Sequence, residues 1–163
     1  MKILIISIPR TGSTSLLERI ATEKKLKPIF EPFDGTNRVL YKNEDNIVVK
    51  SMVFQHQNNF ELAKDFDEII LLSRKNINDC IESHSYHVFF SIKNGYKSTE
   101  HYKYVEPPED VVFECKTNII KWNEQIFELS EKLNIPISYY EDLFDINSSD
   151  RLRIKEDIKK DLI

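Results

Sequence analysis

Two uninterrupted apolar runs, Ile3-Leu4-Ile5-Ile6 and Ile69-Ile70-Leu71-Leu72, constrain the fold of this chain more than any other feature. Neither alternates with polar residues, so both faces of each segment need cover. That is the condition of a strand inside a parallel sheet. Lys2 to Ser7 therefore reads as a first strand, ended by Pro9 and Gly12. A helix follows, with Leu16, Leu17 and Ile20 on one stripe and with Ser13 and Thr14 able to cap its first turn.

The pattern then repeats. Pro28 to Phe33 reads as a short second strand, and Ile47 to Met52 as a third, entered through the polar turn Asn43-Glu44-Asp45-Asn46. Asn59 to Phe66 is expected to be helical, Glu68 to Ser73 a strand and Asn78 to Phe90 a helix. Ser91 to Pro108 mixes basic and aromatic residues and reads as a long loop or lid. From Glu109 to Leu133, the positions Cys115, Ile119, Trp122, Ile126, Leu129 and Leu133 recur at helical spacing. Ile135 to Tyr140 reads as the last strand and Ser148 to Ile163 as a surface helix. Strands alternating with helices imply a three-layer α/β/α fold around a mostly parallel central sheet, with ligands beyond the carboxyl ends of the strands.

The length of 163 residues suits one core, so a single domain over residues 1–163 is expected. A net charge of -4 argues against a general nucleic-acid coat. No stretch has the length of a transmembrane segment, and the first apolar run is too short for a signal peptide. Cys80 and Cys115 are the only cysteines and read as buried free thiols, in keeping with a cytoplasmic location. No metal-ligand spacing is present, so no metal is expected.

The chemistry concentrates in Pro9 to Ser15. A strand that ends at a helix N-terminus presents free backbone N–H groups and a positive dipole end, which suits an anion. Gly12 permits close approach, Thr11, Ser13, Thr14 and Ser15 add hydroxyls, and Arg10 adds a planar, permanently charged donor. The turn lacks the second glycine and the lysine of a Walker A loop, which disfavours an NTPase.

Pro9 to Ser15 resembles the 5′-phosphosulfate-binding loop of the sulfotransferases, in which a basic residue after proline precedes a Ser/Thr-Gly-Ser/Thr-Thr run. Ser73-Arg74-Lys75-Asn76 followed by Ser83 is similar to that family's 3′-phosphate motif. The usual spacing from arginine to serine is eight residues, whereas Ser83 falls nine after Arg74 and eight after Lys75, which leaves either base open as the ligand. Glu31-Pro32-Phe33 resembles a segment near the acceptor site of several bacterial members, and Tyr140-Glu141-Asp142-Leu143 a sequence common in the C-terminal part. The four matches run in family order from residue 8 to residue 143 and suggest a short member of bacterial or viral type.

The resemblance implies a P-loop-like sulfotransferase fold and 3′-phosphoadenosine 5′-phosphosulfate as donor, with no metal. A sulfuryl group would pass to a hydroxyl or amine of a small-molecule or carbohydrate acceptor. Arg10, Thr11, Gly12, Ser13, Thr14, Ser15, Arg74, Lys75 and Ser83 would hold the donor. For the general base the resemblance offers Glu31 first and His56 second, because Lys50-Ser51 is followed by Met52 where the histidine type places its base. Lys50 would contact the transferring group or stand as a solvated flank. The family's usual glycine-rich basic loop after the Tyr-Glu-Asp-Leu segment is missing, which leaves open a nucleotide-binding module without activity. An atypical nucleotide or small-molecule kinase is a third reading.

Overall fold

The computed structural model describes residues 1–33, 41–89 and 106–144. Along them run β1 (Lys2–Ser7), α1 (Ser13–Lys24), β2 (Lys27–Phe30), β3 (Ile47–Met52), α2 (Asn59–Ala63), β4 (Glu68–Ser73), α3 (Ile77–His87), α4 (Glu109–Leu133), β5 (Ile137–Tyr139) and α5 (Tyr140–Leu143). The strands form one sheet in the order β2-β3-β1-β4-β5, and every neighbouring pair is parallel.

The unbroken apolar run of β1 is explained by its central place. Its side chains alternate between two cores, with Leu4, Ile6 and Ile8 on the side of α2, α3 and α4 and with Ile3 and Ile5 on the side of α1. Residues Ile3 to Ile6 are completely buried. Helices thus cover both faces, and the α/β architecture with a parallel sheet agrees with the sequence reading. The chain leaves β1 towards β3 and β2 but leaves β4 towards β5, so the two connections diverge and open a crevice at the carboxyl end of the sheet.

Several boundaries differ from expectation. β2 stops at Phe30, because Glu31 turns out of the strand with φ 42 even though its N–H still bonds Lys50 O at 2.9 Å. β5 begins only at Ile137. Asn134 closes α4 in the left-handed conformation, and the N–H of Ile135 bonds Ser130 O at 3.1 Å, so these residues belong to the helix cap. Tyr140 opens α5 rather than ending the strand. α2 is shorter than Asn59 to Phe66, and α3 runs from Ile77 to His87. The expected helix over 148–163 and most of the loop over 91–108 lie outside the described residues.

Cys80 and Cys115 are both buried. Among the described residues no helix is long and apolar enough to cross a membrane.

The junction between β1 and α1 is sterically exacting. Neither Ser13 nor Thr14 caps the helix. Gly12 is the N-cap, in the left-handed region at φ 71, and no side chain bonds the first turn. A Cβ on Gly12 would overlap the ring of Tyr140, so glycine is required twice over. Gly12→Ala should lower stability by about 1–3 kcal/mol from backbone strain and overpacking combined. In a Tyr140→Ala background the same change should cost only the smaller backbone part. Denaturant unfolding of the four proteins checks this, and equal costs in both backgrounds would exclude the ring contact as a cause.

Candidate functional site

The crevice at the carboxyl end of the sheet holds a cavity of about 580 Å³. Its floor is the β1–α1 turn, through Pro9, Arg10, Gly12, Ser13 and Thr14, and its sides come from Glu31, Lys50 and the α3 residues Ser83, His84 and His87. The first helical hydrogen bond of α1 runs from Leu16 N–H to Gly12 O at 3.0 Å. The amides of Ser13, Thr14 and Ser15 therefore precede the ladder and stay available, beside a positive dipole end that no acidic first-turn residue offsets. Free amides and a positive helix end are the features with which such a turn can receive an anion.

Two cations and one carboxylate are set around that turn. Lys50, at the end of β3, is only 5% exposed. Its Nζ donates to Thr14 Oγ1 at 3.0 Å and pairs with Glu31 Oε1 at 2.6 Å. The other Glu31 oxygen accepts from Gln55 Nε2 at 2.9 Å, and Gln55 Oε1 accepts from Met52 N–H at 2.8 Å. Glu31 is thus aimed by a lysine on one side and an amide on the other. Arg10 is exposed and donates from Nε to Ser83 Oγ at 2.8 Å, which joins the turn after β1 to α3.

Among the described residues five non-glycine residues have positive φ, and three have ordinary reasons. Lys25 and Asn134 follow helices, and Asn46 sits in the turn before β3. The other two are Arg10 at φ 63 and Glu31 at φ 42, both in the cavity wall. Left-handed backbone at a non-glycine residue costs on the order of 1 kcal/mol and persists where packing or function demands it.

Arg74 takes a different place from the cavity-lining residues. Its guanidinium is buried, lies over the Tyr140 ring at 4.6 Å, and donates from Nη1 to Arg10 O at 3.3 Å. Asp79 at 4.0 Å and Glu141 at 3.6 Å balance its charge. Lys75 points outward and bonds Asp142, which holds its ammonium above the usual lysine range. The carboxylate of Glu141 accepts from the N–H groups of Lys75 at 2.9 Å and Asn76 at 3.3 Å, and these bonds help hold it below the ordinary carboxylate range. Of the three residues named for a 3′-phosphate, Ser83 alone is in the cavity lining.

The rest of the predicted set divides clearly. Thr11 is buried and turns its hydroxyl to Ile8 O at 2.9 Å, so its side chain fastens the turn. Ser15 is exposed and contributes its backbone to the helix end. His56 lies in a separate cavity of about 420 Å³ on the α2 and α4 side, where its ring meets Phe33 edge-on at 5.2 Å. Phe54, stacked on Trp122 at 4.3 Å, borders both cavities.

The structure also places His84 and His87, to which the sequence motifs give no role, in the cavity wall. Cys80, Ser83, His84 and His87 follow i, i+3, i+4, i+7 spacing, the signal that could have put the histidines on the face of Ser83. His84 packs edge-on against Trp122 at 5.7 Å, and its Nδ1 is buried with no hydrogen-bond partner. Burial, then repulsion from His87 and Arg10, pushes His84 down to about 4, and burial with Arg10 lowers His87 as well. The positive charge of the cavity therefore comes from Arg10, Lys50 and the helix end.

Compared with protein-family models and with curated proteins, the chain gives no match.

The histidine environment has a measurable consequence. An unfolded His84 takes up its proton near 6.5, whereas the folded one resists until about 4. Between these values the unfolded state binds more protons, so stability falls as pH drops through that window. His84→Phe keeps a ring against Trp122 and should flatten the acid-side loss. Thermal unfolding of both proteins at about pH 7 and about pH 5 reads the difference. A wild type and variant with the same pH dependence would show that His84 is not held neutral.

Proposed function

We propose that the chain is a sulfotransferase of P-loop-like fold that uses 3′-phosphoadenosine 5′-phosphosulfate as donor and a hydroxyl or amine as acceptor. The observation that carries this reading is the convergence of Lys50, Glu31 and the open N-terminus of α1 within one cavity, with Lys50 bonded to both Glu31 and Thr14. Support also comes from Arg10 reaching Ser83, which unites two segments that resemble separate phosphate motifs of that family.

In this reading the amides of Ser13 to Ser15 and the Arg10 guanidinium hold the 5′-phosphosulfate, and Gly12 lets it approach the backbone. Glu31 takes the proton from the acceptor as the acceptor oxygen or nitrogen bonds to sulfur. The bond from sulfur to the bridging oxygen breaks, and its electron pair leaves with adenosine 3′,5′-bisphosphate. Negative charge grows on that leaving group, where Arg10, Lys50 and the helix dipole oppose it, so positioning and charge stabilisation do most of the work. The reaction needs no metal. His56, outside the cavity, has no part in this arrangement.

A second reading is a binding module that takes the 5′-phosphate end of a nucleotide without transfer. The placement of Arg74 and Glu141 favours it, because the cation offered for the 3′-phosphate is buried among Tyr140, Asp79 and Glu141.

Calorimetric titration with adenosine 3′,5′-bisphosphate, beside 5′-AMP and magnesium-ATP, separates the readings. A sulfotransferase should prefer the bisphosphate to 5′-AMP, whereas equal binding of the two supports the module, and preference for magnesium-ATP would replace both with a kinase. Arg10→Ala should weaken the bisphosphate by about 2–3 kcal/mol, the scale of a charge-assisted contact to phosphate. Glu31→Gln should leave that affinity near wild type and cut sulfuryl transfer by about 10²-fold or more. Full transfer by Glu31→Gln would remove Glu31 from the role of base.

A further inference from the structure

The 25-residue helix α4 has two apolar faces. Val111, Cys115, Ile119, Ile126 and Leu129 are buried against the sheet and its neighbouring helices. On the opposite side, Phe113 is 72% exposed, Ile120 41% and Phe127 44%. These three are spaced by seven residues, and a heptad on a straight helix drifts by only about 20°, so they form one row. The row is about 21 Å long at 1.5 Å per residue. Single exposed apolar residues are ordinary, but an aligned row containing two phenylalanines is not.

The spacing of the row is symmetric about Ile120. Phe113 lies seven residues before it and Phe127 seven after. An antiparallel copy of α4 centred on Ile120 therefore sets each Phe113 against the other chain's Phe127. The flanking charges obey the same symmetry, because Lys116 and Glu124 each lie four residues from Ile120 and both are exposed. In the antiparallel pair each Lys116 faces a Glu124, twice over. A parallel pair would set Lys116 against Lys116 and Glu124 against Glu124. The like-charged mirror mates Glu109 and Glu131 fall at the solvated ends of the contact, where Lys132 follows Glu131.

We infer that the chain forms a two-fold symmetric homodimer through this face of α4, with Ile120 on the axis, Phe113 packed on Phe127 of the second copy, and Lys116 paired with Glu124 of the second copy. A two-fold contact buries the same patch twice and closes on itself, as the mirror order of residues requires. The opposite face of α4 stays in the protomer core, so the pairing leaves the sheet and its cavity unchanged.

Sedimentation of the whole protein tests the pairing, with a species of twice 19.3 kDa expected. Ile120→Glu, at a solvent-exposed position, should keep the wild-type circular dichroism and weaken the dimer by about tenfold or more. Lys116→Glu should weaken it too, and adding Glu124→Lys should restore it. Oxidised Ile120→Cys should form a disulfide-linked dimer. Phe113→Cys should link to Phe127→Cys and not to itself, while native Cys80 and Cys115 stay buried and silent. A monomer at every concentration, a dimer indifferent to Ile120→Glu, or self-linking Phe113→Cys would each overturn the pairing.

Discussion

The Arg74 guanidinium is buried at the carboxyl end of the sheet, and the arrangement around it depends on how that charge is met. Removing a cation from water costs several kcal/mol unless it is paired and hydrogen-bonded. Here the compensation comes from four groups on three separate pieces of chain, namely the carbonyl of Arg10, the Tyr140 ring with its neighbour Glu141, and Asp79. Each partner is thereby fixed against the others. Tyr140, held under the guanidinium, presses on Gly12 and fixes the path by which β1 becomes α1. Glu141, drawn in beside it, meets the amides that precede α3.

Around that fixed point the cavity is assembled from elements distant in sequence. Arg10 comes from the turn after β1, Glu31 from the end of β2, Lys50 from β3 and Ser83 from α3. Parallel strands deliver all their carboxyl ends to one side, so a charged residue placed just after a strand is carried to a shared crevice. Arg10 and Glu31 enter it through left-handed backbone, which turns their side chains from the line of the strand into the space above the sheet. The ion pair between Lys50 and Glu31 keeps the opposite charges side by side. His84 and His87, both held below the ordinary histidine range by burial, line the same cavity.

Much of this was legible before any coordinates. Ile3 to Ile6 and Ile69 to Leu72 specified strands covered on both faces, and a parallel sheet is the arrangement that covers them. The free amides between Pro9 and Ser15 were legible too, because a strand that runs into a helix through glycine presents them. The boundary of β5 was not legible, since an Ile-Pro-Ile run reads as strand until the left-handed cap at Asn134 claims its first residue. The place of His84 and His87 was not legible either, because a histidine on a helix carries no mark of which face the fold will bury.

The sequence by itself determined the order of strands and helices and the chemical character of the first turn, because periodicity and backbone sterics act over a few residues and need no distant partner. Only the tertiary structure decided which charges share a space. Arg74 and Lys75 are adjacent in sequence and chemically alike, yet one is buried under the β1–α1 turn and the other faces solvent beside Asp142. Nothing local distinguishes them. Their separation follows from the end of β4 lying between β1 and β5, where one side chain points inward to Tyr140 and Glu141 and the next points away.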